Sequence, residues 1–118
     1  MVYQKTLLAY LVPLLFFIGG CGTQEKEFNT AGSVIELHAN EKFAIVLPET
    51  HSAGQSWRYK SKNDLEMVQY NGSTWHGEAV GAKFHFKSLA TGTCLLNFSL
   101  YEYNKTADSC HFILKISE

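Results

Sequence analysis

The stretch that decides the fold is TCLLNFSLYEYNKTADSCHFILKI, residues 93–116 of a chain of 118 residues. Two runs of alternating apolar and polar residues flank a polar middle, which is typical of two half-buried strands joined as a hairpin. A turn centred near Lys105 would place every inward residue of one strand against an inward residue of the other. The predicted pairs are Leu100 with Cys110, Phe98 with Phe112, Leu96 with Leu114, and Cys94 with Ile116.

This predicted register separates two of the three cysteines. Cys94 and Cys110 would lie six positions apart along the hairpin, about 20 Å at roughly 3.3 Å per residue. A disulfide needs Cα atoms within about 7 Å of each other. We therefore expect two separate thiols in the core, behaving as small apolar residues.

Five shorter runs before the hairpin also alternate. They are SVIELH (33–38), KFAIVLP (42–48), QSWRYK (55–60), LEMVQY (65–70) and KFHFKS (83–88). The dipeptide Asn71-Gly72 after the fourth run predicts a tight turn, and Trp57 is expected to be a core residue that fixes the base of the preceding loop. About seven strands in roughly 85 residues predict an all-β, immunoglobulin-like β-sandwich. A small barrel is the alternative architecture.

The first twenty residues have the layout of a secretory signal. Lys5 precedes an apolar run of about 14 residues, shorter than the roughly 20 that a spanning helix needs. Ile18-Gly19-Gly20-Cys21 resembles the bacterial lipobox, which implies that Cys21 carries acyl chains. The alternative is an ordinary secretory signal with a chance cysteine.

The resulting organisation is a lipoprotein signal peptide at 1–20, a lipid-anchored linker at 21–32 and one immunoglobulin-like domain at 33–118. The resemblance implies a cell-envelope protein held to a membrane through Cys21, and Gly22 in place of an aspartate implies the outer membrane or cell surface. The linker is polar and without periodicity, which is typical of a tether.

The charge balance argues against a nucleic-acid partner. The whole chain has a net charge of −1, from 10 basic and 11 acidic side chains. Nothing is basic enough to neutralise a phosphate backbone.

The sequence contains no spacing of residues that is typical of a catalytic or metal-binding site. His51 and Ser52 are adjacent, so on an extended chain they point apart and cannot act as base and nucleophile. His76, Glu78 and His85 lie on different segments and are interpreted as solvated side chains. We expect no catalytic residue, no metal, no cofactor and no enzyme activity.

Three loops of such a sandwich, within residues 50–57, 77–86 and 100–108, would lie at one end of the molecule. Loops and scaffold together resemble the chagasin-type inhibitors of papain-like cysteine peptidases, immunoglobulin-like sandwiches whose three loops enter the protease cleft. The first family loop reads N-P-T-T-G-x-x-W. In THSAGQSW the serine, the glycine and the tryptophan (Ser52, Gly54, Trp57) keep their places, and the asparagine-proline start is absent.

The other two family motifs match less closely. The second loop reads G-x-G-G, and of GEAV only Gly77 matches, with Gly81 close by. The third motif, R-P-W, is absent, and Tyr101 or Tyr103 would supply the aromatic anchor there.

The resemblance implies a reversible, non-covalent inhibitor that acts as a monomer on a papain-like cysteine peptidase. The small residues of the first loop would allow close approach to a catalytic thiol. The implied protease-binding residues are Thr50, His51, Ser52, Ala53, Gly54, Gly77, Glu78, Ala79, Val80, Gly81, Tyr101, Glu102, Tyr103 and Asn104. The alternative is a cell-envelope lipoprotein binding module without protease-inhibitory activity.

Overall fold

The structure, a computed structural model, describes residues 24–60 and 66–118. The predicted signal peptide and Cys21 lie outside the described residues. In the described part the elements are β1 (Lys26–Phe28), β2 (Val34–His38), β3 (Lys42–Leu47), a 3₁₀ turn η1 (His51–Ala53), β4 (Gln55–Tyr59), β5 (Val68–Trp75), β6 (Ala82–Ser88), β7 (Gly92–Glu102) and β8 (Lys105–Ser117). No helix in these two ranges is long and apolar enough to cross a bilayer.

Two four-stranded sheets pack face to face. The first has the order β1-β3-β6-β5 and the second the order β2-β8-β7-β4. Neighbouring strands are antiparallel except for β1 with β3 and β2 with β8, which are parallel. The predicted all-β, immunoglobulin-like sandwich is confirmed, and the alternative barrel is not formed.

The core lies between the sheets and is rich in phenylalanine. Burial alternates along β6, where every second residue is buried, because successive side chains of a strand point to opposite faces. Phe43 and Phe86 stack within the first sheet with ring centroids 5.3 Å apart, and Phe84 of the first sheet meets Phe98 of the second with centroids 5.0 Å apart. Each such side chain contributes roughly 1.5–3 kcal/mol when it is removed from water, so these rings dominate the packing between the sheets.

The register of the β7–β8 hairpin differs from the prediction by two residues. Phe98 lies opposite Cys110 and Leu96 opposite Phe112, so inward positions still meet inward positions. The turn consists of Tyr103 and Asn104, with φ of 49° and 70°. Two positive φ values are what a tight type I′ hairpin requires, and the strands consequently continue almost to the turn.

The two cysteines in the described chain remain apart, as predicted. Cys94 lies opposite Leu114 and Cys110 opposite Phe98. Four positions separate them, about 13 Å along the strand pair, rather than the predicted six. Both are half-buried and pack against the core.

Part of the predicted linker is a strand. Lys26–Phe28 pairs with Phe43–Ile45, and the ring of Phe28 meets that of Phe43 edge-on at 6.5 Å. Two ion pairs hold the strand at its flanks, Lys83 Nζ with Glu27 Oε2 at 2.6 Å and Lys26 Nζ with Glu41 Oε2 at 3.0 Å. The predicted linker is thus folded onto the first sheet at Lys26–Phe28, and the Gly32 amide donates to the His111 carbonyl oxygen of the second sheet.

Asn71-Gly72 does not form the predicted tight turn. Strand β5 runs through this dipeptide from Val68 to Trp75, and its pairing with β6 is irregular between Tyr70 and Ser73. Gly72 has a φ of 96°, which serves a β-bulge as well as a turn.

The two ends of the sandwich are distinct. The end that we call the tip consists of residues 49–54, 75–81 and 102–104. At the opposite pole the Ala39 amide donates to the Ser117 carbonyl oxygen (2.7 Å) and the Asn40 amide donates to that of Ser88 (2.8 Å). The β2–β3 turn and the C-terminus therefore share the pole that lies away from the tip.

Candidate functional site

The first loop of the tip is a short, closed turn. The Thr50 carbonyl oxygen accepts from the Ala53 amide (3.1 Å) and the Gln55 amide (3.2 Å). Gly54 ends η1 with a φ of 73°, a conformation that glycine adopts without steric cost. Residues 51–53 are exposed, so the small side chains of Ser52 and Ala53, the His51 ring and the backbone form the front of the loop.

A buried carboxylate holds the base of this loop. Glu49 is only 6% exposed. Its Oε1 accepts from the Trp57 amide at 2.7 Å, and its Oε2 pairs with His51 Nε2 at 2.5 Å. Both ends of the loop are thereby tied to one side chain, which the sequence did not identify as part of the site.

Two tryptophans support the loop from different sides. Trp57 Nε1 donates to the Pro48 carbonyl oxygen at 2.9 Å, and its ring packs against the core, which confirms the prediction that Trp57 fixes the loop base. Trp75 Nε1 donates to the Glu49 carbonyl oxygen at 3.4 Å. The Trp75 ring stacks on His51 with centroids 4.0 Å apart and planes 10° from parallel.

The second loop is joined to the first by a hydrogen bond. The Ser52 amide donates to Glu78 Oε2 at 3.2 Å. Within the second loop, the Gly77 carbonyl oxygen accepts from the Val80 amide (3.3 Å) and the Gly81 amide (2.8 Å). Gly81 has a φ of 100°, and a Cβ there would clash with the backbone of Leu47, so the loop closes tightly against the end of β3.

The third loop, which is the turn between β7 and β8 of the second sheet, is hydrogen-bonded to the first loop. The Tyr103 amide donates to the Gly54 carbonyl oxygen at 3.1 Å. A Cβ on Gly54 would lie 2.5 Å from the Tyr103 ring, so the ring covers the glycine. Gln55 adds a second link, because its Oε1 accepts from the Thr50 amide and its Nε2 donates to Glu102 Oε2, both at 3.0 Å.

Tyr101 is the predicted site residue that the structure directs away from the tip. Its ring lies beneath Arg58, with Cζ 4.2 Å from the ring centroid, and beside Lys60, with Nζ 5.2 Å away. The hydrogen bond from Lys60 is the main cause that lowers the pKa of the Tyr101 hydroxyl. Tyr103, 74% exposed, is therefore the aromatic side chain that the third loop presents.

The other predicted site residues lie in the three loops that form the tip. The first loop supplies residues 50–54, the second residues 77–81 and the third residues 102–104. The direct links described above join the first loop to each of the other two. Glu49, Gln55 and Trp75 belong to the same arrangement and were not predicted, because only the folded chain brings them to these partners.

The histidines considered as metal ligands have other neighbours. Thr74 Oγ1 lies 2.7 Å from His76 Nε2 and 2.8 Å from His85 Nε2, and His85 Nδ1 lies 2.8 Å from Glu25 Oε2. Among the described residues, no group of three or more His, Cys, Asp or Glu side chains is close enough to hold a metal ion. Glu78 instead points to the first loop.

Comparison with known proteins finds similar structures but no match by sequence. No protein-family model matches the chain, and no curated protein matches it by sequence. The crystal structure of the cysteine protease inhibitor EhICP2 from Entamoeba histolytica is similar with a TM-score of 0.64 and 14% identity, over 78% of this chain and 94% of that one. The solution structure of amebosin is similar with a TM-score of 0.51 and 14% identity, over 80% of this chain and 99% of that one.

At such low identity these likenesses concern the fold alone. Both structures are covered almost completely by this chain, so the shared part is the whole sandwich rather than a single motif. The chain has the immunoglobulin-like β-sandwich fold that EhICP2 and amebosin share.

Proposed function

We propose that the domain is a reversible, non-covalent inhibitor of papain-like cysteine peptidases and that its tip enters the active-site cleft. One observation carries the proposal: three loops that are distant in sequence are bonded into a single tip, with the first loop in the middle. The amide of Ser52 bonds to the second loop and the carbonyl of Gly54 to the third. This arrangement suits a surface that must fill a cleft from wall to wall.

The chemistry of the first loop fits the centre of such a cleft. Ser52, Ala53 and Gly54 have small side chains, so the backbone can come close to a catalytic thiol. No side chain of this loop needs to react with the enzyme, because the inhibitor has only to exclude substrate. The neighbouring loops would then contact the two walls of the cleft, in an interface of the standard size of about 1,600 Å².

The rigidity of the tip favours tight binding. Thr50 and Gln55 close the first loop by backbone hydrogen bonds, and Glu49 holds both of its ends. Ordering a flexible loop on binding costs free energy, and a loop that is already ordered avoids that cost. A fixed loop also resists adopting the extended form that a peptidase cleaves.

Similarity of fold supports the same class of function. EhICP2 is described as a cysteine protease inhibitor, and this chain has the same sandwich. On this basis the partner would be a cysteine peptidase, and the protein itself would carry out no catalysis.

The test is a titration of papain with the recombinant chain from residue 24 onward, which keeps all eight strands. We expect competitive, reversible inhibition at or below micromolar concentration. Ala53→Trp should weaken inhibition about tenfold or more, because a large ring at the front of the loop holds the tip away from the catalytic centre. Ala31→Trp, an equally large change at an exposed site outside the tip, should leave inhibition unchanged.

Absence of inhibition at micromolar concentration would contradict the proposal. It would favour the alternative, a cell-envelope binding module whose tip recognises another protein or a glycan. Equal inhibition by the wild type and Ala53→Trp would remove the first loop from the mechanism.

We also propose that the protein is anchored to a membrane of the cell envelope through lipid on Cys21. The lipobox-like sequence Ile18-Gly19-Gly20-Cys21 supports this proposal. The topology is compatible with it, because β1 is parallel to β3 and β3 runs from the opposite pole toward the tip. A chain that enters the sandwich at the opposite pole would carry the tip on the side that faces away from the bilayer. In cells expressing the full chain, Cys21→Ala should move the protein from the membrane fraction to the soluble fraction, and an unchanged distribution would contradict the anchor.

A further inference from the structure

The tip presents two aromatic side chains, one on each side of the first loop. Tyr103 covers Gly54 at the end of the loop, and Trp75 stacks on His51 at its beginning. Both are exposed, Tyr103 at 74% and Trp75 at 44%. The sequence pointed to the tyrosine, whereas nothing pointed to the tryptophan.

Exposure of Trp75 is not explained by packing. Its Nε1 already donates to the Glu49 carbonyl oxygen, and one face of its ring is occupied by His51. Almost half of the residue nevertheless remains accessible to solvent at the end of β5, where the second loop begins. That loop also exposes the apolar side chain of Val80 (46%).

An exposed tryptophan held in one orientation is well suited to binding. Tryptophan and tyrosine are, with arginine, the side chains most enriched at energetically dominant positions of interfaces. They have only two side-chain torsions, so little conformational entropy is lost when they are buried. The hydrogen bond to Glu49 and the stack on His51 restrict Trp75 further and thereby lower that loss.

We propose that Trp75 is a specificity-determining contact residue, which inserts into an apolar pocket on the wall of the peptidase cleft that the second loop meets. This inference rests on the proposed function. It adds that the peptidase has an apolar pocket beside its active site. A peptidase with a charged or filled wall at this position would bind weakly. Tyr103 would occupy the other wall, so the first loop would lie between two aromatic contacts.

The test separates contact by Trp75 from its support of His51. The recombinant chain from residue 24, labelled with 5-fluorotryptophan, gives one ¹⁹F resonance for Trp57 and one for Trp75. On addition of unlabelled papain, we expect the Trp75 resonance to shift and to lose its solvent isotope effect, while that of Trp57 changes little. Trp75→Ala should raise the inhibition constant at least tenfold, and Val34→Ala, which removes an exposed apolar side chain outside the tip (Val34, 49% exposed), should not change it.

A second variant keeps the proposal falsifiable if Trp75→Ala disturbs the loop. Trp75→His retains an aromatic ring that can stack on His51 but removes most of the apolar surface, so it should also weaken inhibition. Unperturbed fluorine resonances together with intact inhibition would overturn the role of Trp75 and leave the proposed function standing. No inhibition by the wild-type chain would instead overturn the proposed function itself.

Discussion

The amide of Tyr103 donates to the carbonyl oxygen of Gly54 across 3.1 Å, and the tyrosine ring lies directly over the glycine. This contact joins the hairpin turn of the second sheet to the end of the first loop. It requires a residue without a side chain below the ring and an exposed aromatic residue above it. The first and third loops consequently hold each other in position.

Gly54→Ala should break this contact. Alanine at a φ of 73° costs about 1–2 kcal/mol of folding free energy, and its Cβ would lie 2.5 Å from the Tyr103 ring and displace it. Gly72→Ala, also at positive φ but with no atom within 4 Å of the added Cβ, should lose only the conformational part. Urea unfolding measures both. Adding Tyr103→Ala to Gly54→Ala should restore part of the stability, and equal losses in the two glycine variants would contradict the close contact.

Glu49→Ala should destabilise the fold and loosen the first loop. The amide of the half-buried Trp57 would lose its acceptor, and a buried group left unsatisfied costs about 1–3 kcal/mol. The exposed His51 would lose its carboxylate partner but can bond to water instead. Glu36→Ala, which removes an exposed carboxylate from β2, serves as the control and should change stability by less than about 0.5 kcal/mol. The measurement is the free energy of unfolding of each variant, obtained from urea titrations. Similar small effects for both substitutions would mean that Glu49 does not hold the loop.

Gly81→Ala is expected to be the most damaging single glycine substitution at the second loop. Its φ is 100° and its Cβ would clash with the backbone of Leu47, which cannot rotate away as a side chain can. Gly32 has a comparable φ of 80° and no atom within 4 Å of an added Cβ. Gly32→Ala therefore measures the cost of the backbone conformation alone. Thermal unfolding should show a clearly larger loss for Gly81→Ala. A loss no greater than that of Gly32→Ala would be inconsistent with the close approach to β3.

Cys110 should react slowly with thiol reagents in the folded protein. Burial is the main cause that raises the pKa of its thiol, and the negative charge of Asp108 adds to it. The reactive thiolate is therefore scarcer at a given pH than for an ordinary cysteine. Removing the charge with Asp108→Asn should lower the pKa and speed the reaction, whereas Asp108→Glu should not.

The measurement is the rate of reaction with a disulfide reagent as a function of pH, in a Cys94→Ala background that starts at residue 24. The pH at which the rate is half-maximal should fall in Asp108→Asn. In denaturant the difference between the variants should shrink, because burial is lost and the charge is screened by solvent. Identical pH profiles for folded Asp108→Asn and Asp108→Glu would exclude the charge effect.

Alternation of apolar side chains predicted six of the strands, because a period of two is imposed wherever one face of a strand is buried. The seventh predicted run overlaps β5 only at residues 68–70, and burial does not alternate along that strand. The same period explains the error in the hairpin. A shift of two residues leaves every inward side chain inward, so the pattern cannot choose between the two registers. The register is set by the turn at Tyr103 and Asn104 together with the irregular pairing between Leu100 and Tyr101, neither of which the alternation reveals. Strand β1 was missed because three residues with one apolar side chain, Phe28, show no periodicity.

The sequence predicted where the candidate site lies in the fold, but not which side chains contact one another there. Sandwich topology places the three loops at one end, and the structure has them there. The side chains that join the loops could not be predicted, because Glu49, Gln55 and Trp75 act on partners brought near only by folding. Tyr101, the predicted alternative to Tyr103 as aromatic anchor, lies beside Arg58 and Lys60, because side chains alternate along β7.

The most direct test of the central claim is an amide chemical-shift map of the ¹⁵N-labelled chain from residue 24 during titration with papain whose catalytic thiol is reversibly blocked by a methylthio group. The small blocking group prevents turnover and leaves most of the cleft open. We predict that the largest shifts fall in residues 50–54, 75–81 and 102–104, with little change at the β2–β3 turn. Shifts concentrated at that opposite pole or on the outer faces of the sheets, or no shifts at all at micromolar papain, would contradict the account.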